Sequence, residues 1–299
     1  MRTKIASILS FAVLVLLCGC LQFEEQSMSY RYDEKTDTLY IFQDYRGISA
    51  GQGEGLSEDE IRQLESVIKT ERTFFFANWI FEYNREAMLE VQKELKGPAT
   101  GDDSSLTPEE RKQVLGLVDV LLTNVKVENG PFYYDASKRL CGVQKVTLMK
   151  VSEVVRKANE VMPIALRGVA QRQEDAADKA VLLKAAGKRK EFIRLDKNVL
   201  SFVWPMTQPE YEETFGAKTE NPEVMAAFKK SGGKIDFKDD EVHFSLGTPQ
   251  DHITTLSLPV AKAEKDYKGY QPNAVEEVKK RAVILENFDV EAARKEFLK

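Results

Sequence analysis

Apolar and polar residues alternate along three separate stretches of the chain, and short polar turns interrupt each stretch. Alternation of this kind is typical of half-buried β-strands paired as hairpins. The first stretch covers residues 30–42, with its turn at 33–37. The second covers 125–148 and is punctuated by Asn129-Gly130 and by residues 135–137. The third covers 235–246 with a turn at 238–240, and residues 252–258, which end at Pro259, predict a further strand beside it.

Helix signals occupy the segments between these hairpins. Ser57 and Glu60 match a capping box ahead of a helix that is predicted to reach Leu95, before Gly97-Pro98. Thr107-Pro108 and the two acidic residues after it suit the first turn of a second helix, which is predicted to end near residue 122. Both helices therefore have well-specified beginnings.

Two further helical patterns complete the prediction. Apolar residues recur at helical spacing over 151–186, with Pro163 as a predicted kink and Gly187 as a predicted stop, and residues 273–298 predict a last, mostly polar helix. Hairpins with helices between them, and no strict βαβ alternation, indicate an α+β fold of antiparallel hairpins or a meander packed with several long helices. The interval 187–233 is the best candidate for a domain boundary within the folded body.

The most aromatic part of the chain is residues 74–83, with the sequence FFFANWIFEY. At about 100° per residue these rings cover nearly the whole circumference of the predicted first helix, so one neighbouring element cannot bury them all. A central core helix is the simplest interpretation. The alternatives are a partner groove, a membrane contact or an apolar-ligand pocket lined by Phe75, Trp79 and Tyr83.

The amino terminus has a different character. Arg2 and Lys4 precede a largely apolar run over residues 5–17, which is shorter than the about 20 residues needed to span a bilayer. Leu17-Cys18-Gly19-Cys20 follows. This arrangement resembles the signal peptide of bacterial lipoproteins, a class defined by such a basic start, apolar core and small residue before the modified cysteine.

The resemblance implies cleavage after Gly19 and attachment of diacylglycerol, with palmitate-type acyl chains, to the sulfur of Cys20. Two or three acyl chains would hold the protein on a membrane, because one chain alone binds reversibly. Residues 1–19 would then be the signal peptide, residues 20–28 a lipidated tether and residues 29–299 the folded body. Leu21 stands where an Asp favours retention at the inner membrane of Gram-negative cells, so the resemblance favours the outer membrane.

Composition narrows the class of partner. The chain is 42% apolar and 30% charged, which is typical of a globular body, and its formal net charge is −5. Loss of Arg2 and Lys4 with the signal peptide would make it more acidic. Nucleic-acid binding depends on Lys and Arg neutralising phosphates, so the acidic balance argues against a nucleic-acid partner.

One segment matches a catalytic motif in letters only. Residues 47–51 read G-I-S-A-G, the hydrolase G-x-S-x-G pattern with Ser49 as nucleophile, but four further residues and Leu56 separate this segment from the helix start at Ser57. In a nucleophile elbow the helix begins immediately after the serine. The same glycines also lack the lysine of a phosphate-binding loop. A flexible connection is therefore the preferred interpretation.

Histidine and cysteine are scarce. His243 and His252 would lie diagonally on one sheet face if residues 247–250 closed a tight hairpin, with Asp240 and Glu241 nearby, but exposed strand histidines are the simpler interpretation and no metal site is predicted. Cys141 is the one cysteine left after signal cleavage and lipidation, so no intrachain disulfide can form. We expect it to be a small core residue.

Together these patterns predict a membrane-anchored extracytoplasmic lipoprotein with a non-catalytic binding or scaffolding role at the cell envelope, facing the periplasm or the exterior. It would need no cofactor, and its partners would be the membrane, through Cys20, and an envelope protein. The alternatives are a lipid-tethered hydrolase that uses Ser49 and a carrier of an apolar ligand.

Overall fold

Two β-sheets and the helices around them confirm the predicted α+β class. The computed structural model describes residues 24–48, 65, 83–98, 106–173, 176–188, 191–212, 222–259, 276 and 278–299. Its strands are β1 Glu25–Asp33, β2 Thr38–Arg46, β3 Val125–Tyr134, β4 Leu140–Met149, β5 Ile193–Asp196, β6 Val199–Trp204, β7 Lys234–Lys238, β8 Glu241–Leu246, β9 Thr254–Pro259 and β10 Ile284–Leu285. Its helices are α1 Arg85–Lys96, α2 Pro108–Asn124, α3 Val151–Arg172, α4 Ala176–Lys188, α5 Gln208–Tyr211, α6 Pro222–Lys230 and α7 Val290–Phe297.

The large sheet contains the first two predicted hairpins. Its strand order is β10-β3-β4-β2-β1-β9, and every pair is antiparallel except β10 with β3. Asn129-Gly130 was predicted to separate two strands, but it lies inside β3, where the register with β4 shifts between Asn129 and Phe132. The extra residues form an irregularity within one strand, and the turn of this hairpin is at residues 135–139.

β1 begins earlier than the sequence predicted. Its first residue is Glu25, and the side chains of Gln26 and Met28 are buried against the rest of the sheet. The fold was expected to begin near Ser29, after a tether over residues 20–28. Polar residues at the start of the strand hide its alternation, so the ordered sheet extends into the predicted tether by four residues.

The small sheet has the order β5-β6-β8-β7 and contains the third predicted hairpin. Asp239 and Asp240 form its turn with φ values of 53° and 59°. Aspartate tolerates this left-handed region better than most residues. The strand predicted beside this hairpin is β9, and it pairs with β1 of the large sheet instead of with β8, so that prediction of its neighbour was wrong.

The predicted start of the second helix at Thr107 is confirmed, whereas the capping box predicted at Ser57 and Glu60 lies outside the described residues. α2 begins after Thr107 with the predicted first-turn proline, and Thr107 and Glu110 also form a capping box, which was not predicted.

The helix predicted to run to Leu95 is not helical at Tyr83 and Asn84, and α1 begins at Arg85. The Asn84 side chain accepts a hydrogen bond from the Ala87 N–H at 3.1 Å and caps α1. Asn84 itself has extended backbone angles, because an N-cap residue lies outside the helix.

The third and fourth predicted helices are also divided. The chain continues in helical geometry through Pro163 and leaves it at Gln173, while Gly187 lies inside α4, which ends one residue later. The predicted final helix over 273–298 includes β10 and ends with α7, which Asp289 caps through the Ala292 N–H at 2.9 Å. None of the helices in the described ranges combines the length and apolar composition needed to cross a bilayer.

The main core lies on one face of the large sheet, called the inner face here. Its buried residues come from β1–β4 and β9, from helices α1–α3 and α6, and from β8. α7 covers the opposite, outer face, where Leu298 packs in a cluster with Phe42, Tyr133 and Cys141. The small sheet contributes to the same main core, and this shared core attaches it to the large sheet.

A group of hydrogen bonds that we call the sheet junction joins the two sheets. The Tyr30 hydroxyl on β1 donates to the Leu246 carbonyl at 2.7 Å. Asn198, in the β5–β6 turn, accepts the Tyr32 N–H at 3.0 Å through its side-chain oxygen and donates to the Thr254 hydroxyl at 2.8 Å. Gly247 lies at the centre of the sheet junction with a φ of +90°.

Candidate functional site

The structure describes only one of the four residues singled out for lipidation or ligand binding. Tyr83 is completely buried in the main core, and its hydroxyl accepts a hydrogen bond from Arg85 at 3.4 Å. Cys20, Phe75 and Trp79 lie outside the described residues, and so does the alternative nucleophile Ser49. Tyr83 therefore has the position of a core residue.

The two histidines do not share a sheet face. His243 lies in β8, opposite Val203 and Asp236, with its Nε2 atom 3.5 Å from the Glu241 carboxylate. His252 is exposed in the loop that leads to β9, and β9 belongs to the other sheet. The hairpin needed for the diagonal arrangement does not form. In the described part of the chain, His, Cys, Asp and Glu side chains do not gather in a group of three or more that could hold a metal ion.

Cys141 is a core residue, as its sequence context predicted. Its side chain is completely buried on the outer face of the large sheet, beside Leu298. Burial raises the pKa of the Cys141 thiol to about 11. The nucleophilic form of cysteine is the thiolate, so this thiol is poorly suited to attack a substrate at neutral pH.

The most unusual feature of the inner face is a group of neutral polar side chains, buried except for the half-buried Asn129, which we call the amide cluster: Gln26, Gln43, Tyr45, Asn129 and Gln144. The strand register explains how they meet. Gln43 of β2 lies opposite Gln144 of β4, which lies opposite Asn129 of β3, while Tyr45 lies opposite Gln26 of β1. The three glutamines are at most 2% exposed.

Hydrogen bonds connect the amide cluster from strand to strand. The Tyr45 hydroxyl contacts the side-chain oxygens of Gln43 and Gln144, and the Gln144 amide donates to Asn129. Gln26 donates to the Gln43 oxygen at 3.4 Å. The Nε2 atom of Gln43 is buried and has no hydrogen-bond partner in the described structure, so the amide cluster has one unused donor. A neutral acceptor, such as a carbonyl or hydroxyl oxygen, would satisfy it.

The outer face has a charged group at the same end of the sheet, which we call the Asp44 cluster: Asp44, Arg46 and Tyr133. The Arg46 guanidinium donates to one carboxylate oxygen of Asp44 at 2.8 Å, and the Tyr133 hydroxyl donates to the other. Burial and then the negative charge of Asp44 raise the pKa of Tyr133, which keeps the hydroxyl protonated as a donor. Both oxygens of this buried carboxylate therefore have partners.

The chemistry available at these two clusters is mainly hydrogen bonding. The amide cluster consists of neutral amides and one phenolic hydroxyl, so it supplies hydrogen bonds between strands and contains no carboxylate or imidazole that could act as a general base. In the Asp44 cluster, the carboxylate is held by a cation and a hydroxyl, which stabilises the sheet without leaving a free oxygen. These arrangements suit support of the sheet better than proton transfer.

Neither cluster was predicted from the sequence. The first hairpin was predicted to end at Phe42, whereas β2 continues to Arg46. The signal was present in the alternation of residues 43–46, which places Gln43 and Tyr45 on the inner face and Asp44 and Arg46 on the outer face. Buried polar residues conceal such an alternation, because they have the composition of an exposed strand end.

Comparisons with protein-family models, with curated proteins and with solved structures find no match to this chain.

Proposed function

We propose that the mature chain is a lipid-anchored lipoprotein that binds or scaffolds a partner at the bacterial cell envelope without catalysing a reaction. The observation that carries this proposal is the amino-terminal pattern: a basic start, a short apolar run and Leu17-Cys18-Gly19-Cys20. The described structure adds that β1 begins only five residues after Cys20. An acyl chain at that position would hold the folded body close to the membrane.

The described polar clusters support a scaffolding role, because their buried side chains hold neighbouring strands together. The amide cluster offers neutral donors and acceptors in a fixed arrangement across four strands, and the partners of Asp44 occupy both of its carboxylate oxygens. The buried thiol of Cys141 has a raised pKa. Groups arranged in this way favour rigid support over proton transfer and nucleophilic attack.

The test of the anchor is acyl labelling of the full chain expressed in a bacterial host. Cells that grow with radiolabelled or alkyne palmitate should label the protein, and Cys20→Ser should abolish both the label and the partition of the protein into detergent. Cys18→Ser is the matched control, because it removes a neighbouring cysteine and should leave labelling intact. Labelling that persists in Cys20→Ser would overturn the proposal.

The membrane address is tested separately. Leu21→Asp should move the protein from outer-membrane to inner-membrane fractions of a Gram-negative host, with acylation unchanged. Equal distribution of the natural chain and Leu21→Asp between the two fractions would refute the outer-membrane assignment while leaving the anchor in place.

The binding role differs from its two alternatives in measurable ways. A mature protein whose native and denatured masses differ by a reproducible small-molecule mass would indicate a carrier, and we expect no such mass. A fluorophosphonate probe that labels the natural chain but not Ser49→Ala would indicate a hydrolase, and we expect no labelling. Either positive result would replace the proposed non-catalytic role.

A further inference from the structure

The covalent distance between the proposed anchor and the fold is short. Glu24, which is the first residue described before β1, is only the fourth residue after Cys20. Even a fully extended chain spans at most about 3.6 Å per residue, so this segment reaches about 14 Å. The acylated sulfur must therefore remain near the place where the chain joins the large sheet.

That place is fixed by contacts to two other strands. The Glu24 N–H donates to the Arg46 carbonyl at 2.9 Å, which continues the pairing of β1 with β2. The Glu24 carboxylate forms an ion pair with Arg139, whose guanidinium also bonds the Asp135 carboxylate at 2.7 Å. Arg139 thus connects the amino-terminal end of the fold to the β3–β4 turn at residues 135–139.

The β1–β2 turn lies at the opposite end of the same strands. Residues 34–37 form this turn, and Asp37 accepts hydrogen bonds from Val151 and Ser152 at the start of α3. β4 runs ten residues from Leu140, beside the β3–β4 turn, to Met149, opposite Thr38. At about 3.3 Å per residue the two ends are about 30 Å apart, which is twice the reach of the tether.

We infer that the end of the large sheet formed by Glu24, Arg46 and the β3–β4 turn faces a phospholipid bilayer, and that the β1–β2 turn points away from it. This inference rests on the proposed lipidation of Cys20. The sheet junction at Tyr30 and Tyr32 lies farther along β1 than Glu24, so the small sheet is attached on the side away from the membrane. A partner approaching from the aqueous phase would meet the small sheet first.

The experiment compares fluorescent labels at the two ends of the sheet. Ser137→Cys lies in the β3–β4 turn and Lys35→Cys in the β1–β2 turn, and both positions are exposed. Background labelling should be low, because Cys141 is buried and acylation blocks Cys20. Each acylated full-length variant is labelled with bimane and reconstituted from detergent into phosphatidylcholine vesicles that contain a headgroup-nitroxide lipid. Intact mass and vesicle flotation confirm the anchor in each preparation.

We expect bimane at position 137 to lose most of its fluorescence and bimane at position 35 to lose little. A ten-residue Gly-Ser insertion after Leu21 should weaken the quenching at 137, because such a linker alone has a root-mean-square length of about 16–19 Å. Equal quenching at both positions, or stronger quenching at 35, in acylated protein that floats with vesicles would overturn the inference but leave the anchor proposal intact. Protein that carries no acyl mass and does not float would overturn the anchor proposal and the orientation together.

Discussion

Gly247→Ala should break the sheet junction, which makes it the sharpest test of how the two sheets are joined. Gly247 has a φ of +90°, and a Cβ atom built on it would lie 2.3 Å from the Asn198 carbonyl oxygen and 2.6 Å from the Thr254 hydroxyl. A separation of 2.3 Å from a backbone oxygen cannot be relieved by rotating a side chain. The β5–β6 turn must therefore move away from β8.

The cost has two parts. An alanine at a left-handed φ loses about 1–2 kcal/mol relative to glycine. Displacement of Asn198 also disrupts its hydrogen bonds to Tyr32 and Thr254, and a typical hydrogen bond contributes about 0.5–1.5 kcal/mol to stability. We therefore expect Gly247→Ala to lower the free energy of unfolding by about 2–5 kcal/mol, which is a large share of the 5–15 kcal/mol of an ordinary domain.

Gly232→Ala is the matched control. Gly232 has a similar φ of +82°, but nothing lies within 4 Å of the position that a Cβ atom would occupy there, so only the backbone cost of about 1–2 kcal/mol should appear. The measurement is urea unfolding of both variants, followed by tryptophan fluorescence and far-UV circular dichroism. An equal decrease in the free energy of unfolding in the two variants would show that the close contact at Gly247 adds nothing to the backbone cost.

A double-mutant cycle makes the reasoning more specific. Asn198→Ala should be costly in the natural chain, because it removes the bonds to Tyr32 and Thr254. In the Gly247→Ala background the same change should cost much less, since those bonds are already broken. If the decreases in the free energy of unfolding caused by the two substitutions were additive, the idea that Gly247 acts through Asn198 would be refuted.

Three further predictions concern the helices. Gly187→Ala should raise the free energy of unfolding by about 0.5 kcal/mol, the lower end of the range for a helix interior, because Gly187 lies in the last turn of α4 with open space around its Cβ position, and an unchanged urea midpoint would contradict this. Leu298→Ala should lower the free energy of unfolding by about 2–4 kcal/mol and speed the reaction of Cys141 with a thiol reagent, because Leu298 is fully buried in the same cluster as Cys141. An unchanged rate of reaction of the Cys141 thiol would contradict this. The Lys184 ammonium lowers the pKa of Glu210 to about 2. The ionised Glu210 carboxylate therefore contributes its full stabilisation above the unfolded-state pKa of about 4.3, and this contribution is lost as the pH falls toward 2. Glu210→Gln should therefore be less stable than the natural chain by up to about 1 kcal/mol at pH 7, with a difference that disappears by about pH 2 in acid-titrated urea unfolding; a constant difference would refute the assignment.

Local sequence patterns predicted those parts of the fold that local interactions determine. The β1–β2 and β7–β8 hairpins follow from alternation around short polar turns, and α2 begins after Thr107 with the predicted first-turn proline. The capping role of Asn84 was not predicted, because it depends on a single hydrogen bond from the Ala87 N–H. A single N-cap residue hardly changes the spacing of the apolar residues, and this spacing was the basis of the prediction.

The arrangement of the sheets could not be predicted in the same way. β9 pairs with β1 because Gly247 and Asn198 direct the chain back to Tyr30 after β8, and these contacts join residues that are far apart in sequence. The amide cluster was missed for a related reason. Gln43 and Gln144 are buried only because β2 and β4 pair, and neither segment alone indicates that its polar residues face inward.

The pairing of β1 with β9 has a consequence for the order of folding during synthesis. β1 can pair with β2 as soon as the first hairpin is made, but its other edge awaits a partner in which Thr255 meets Ser29 across 226 residues. An unpaired strand edge invites association with other chains, and such distant contacts form slowly. The strand nearest the proposed anchor is therefore completed near the end of translation. Nascent chains that end before residue 254 should remain protease-sensitive and prone to self-association, and longer ones should become resistant.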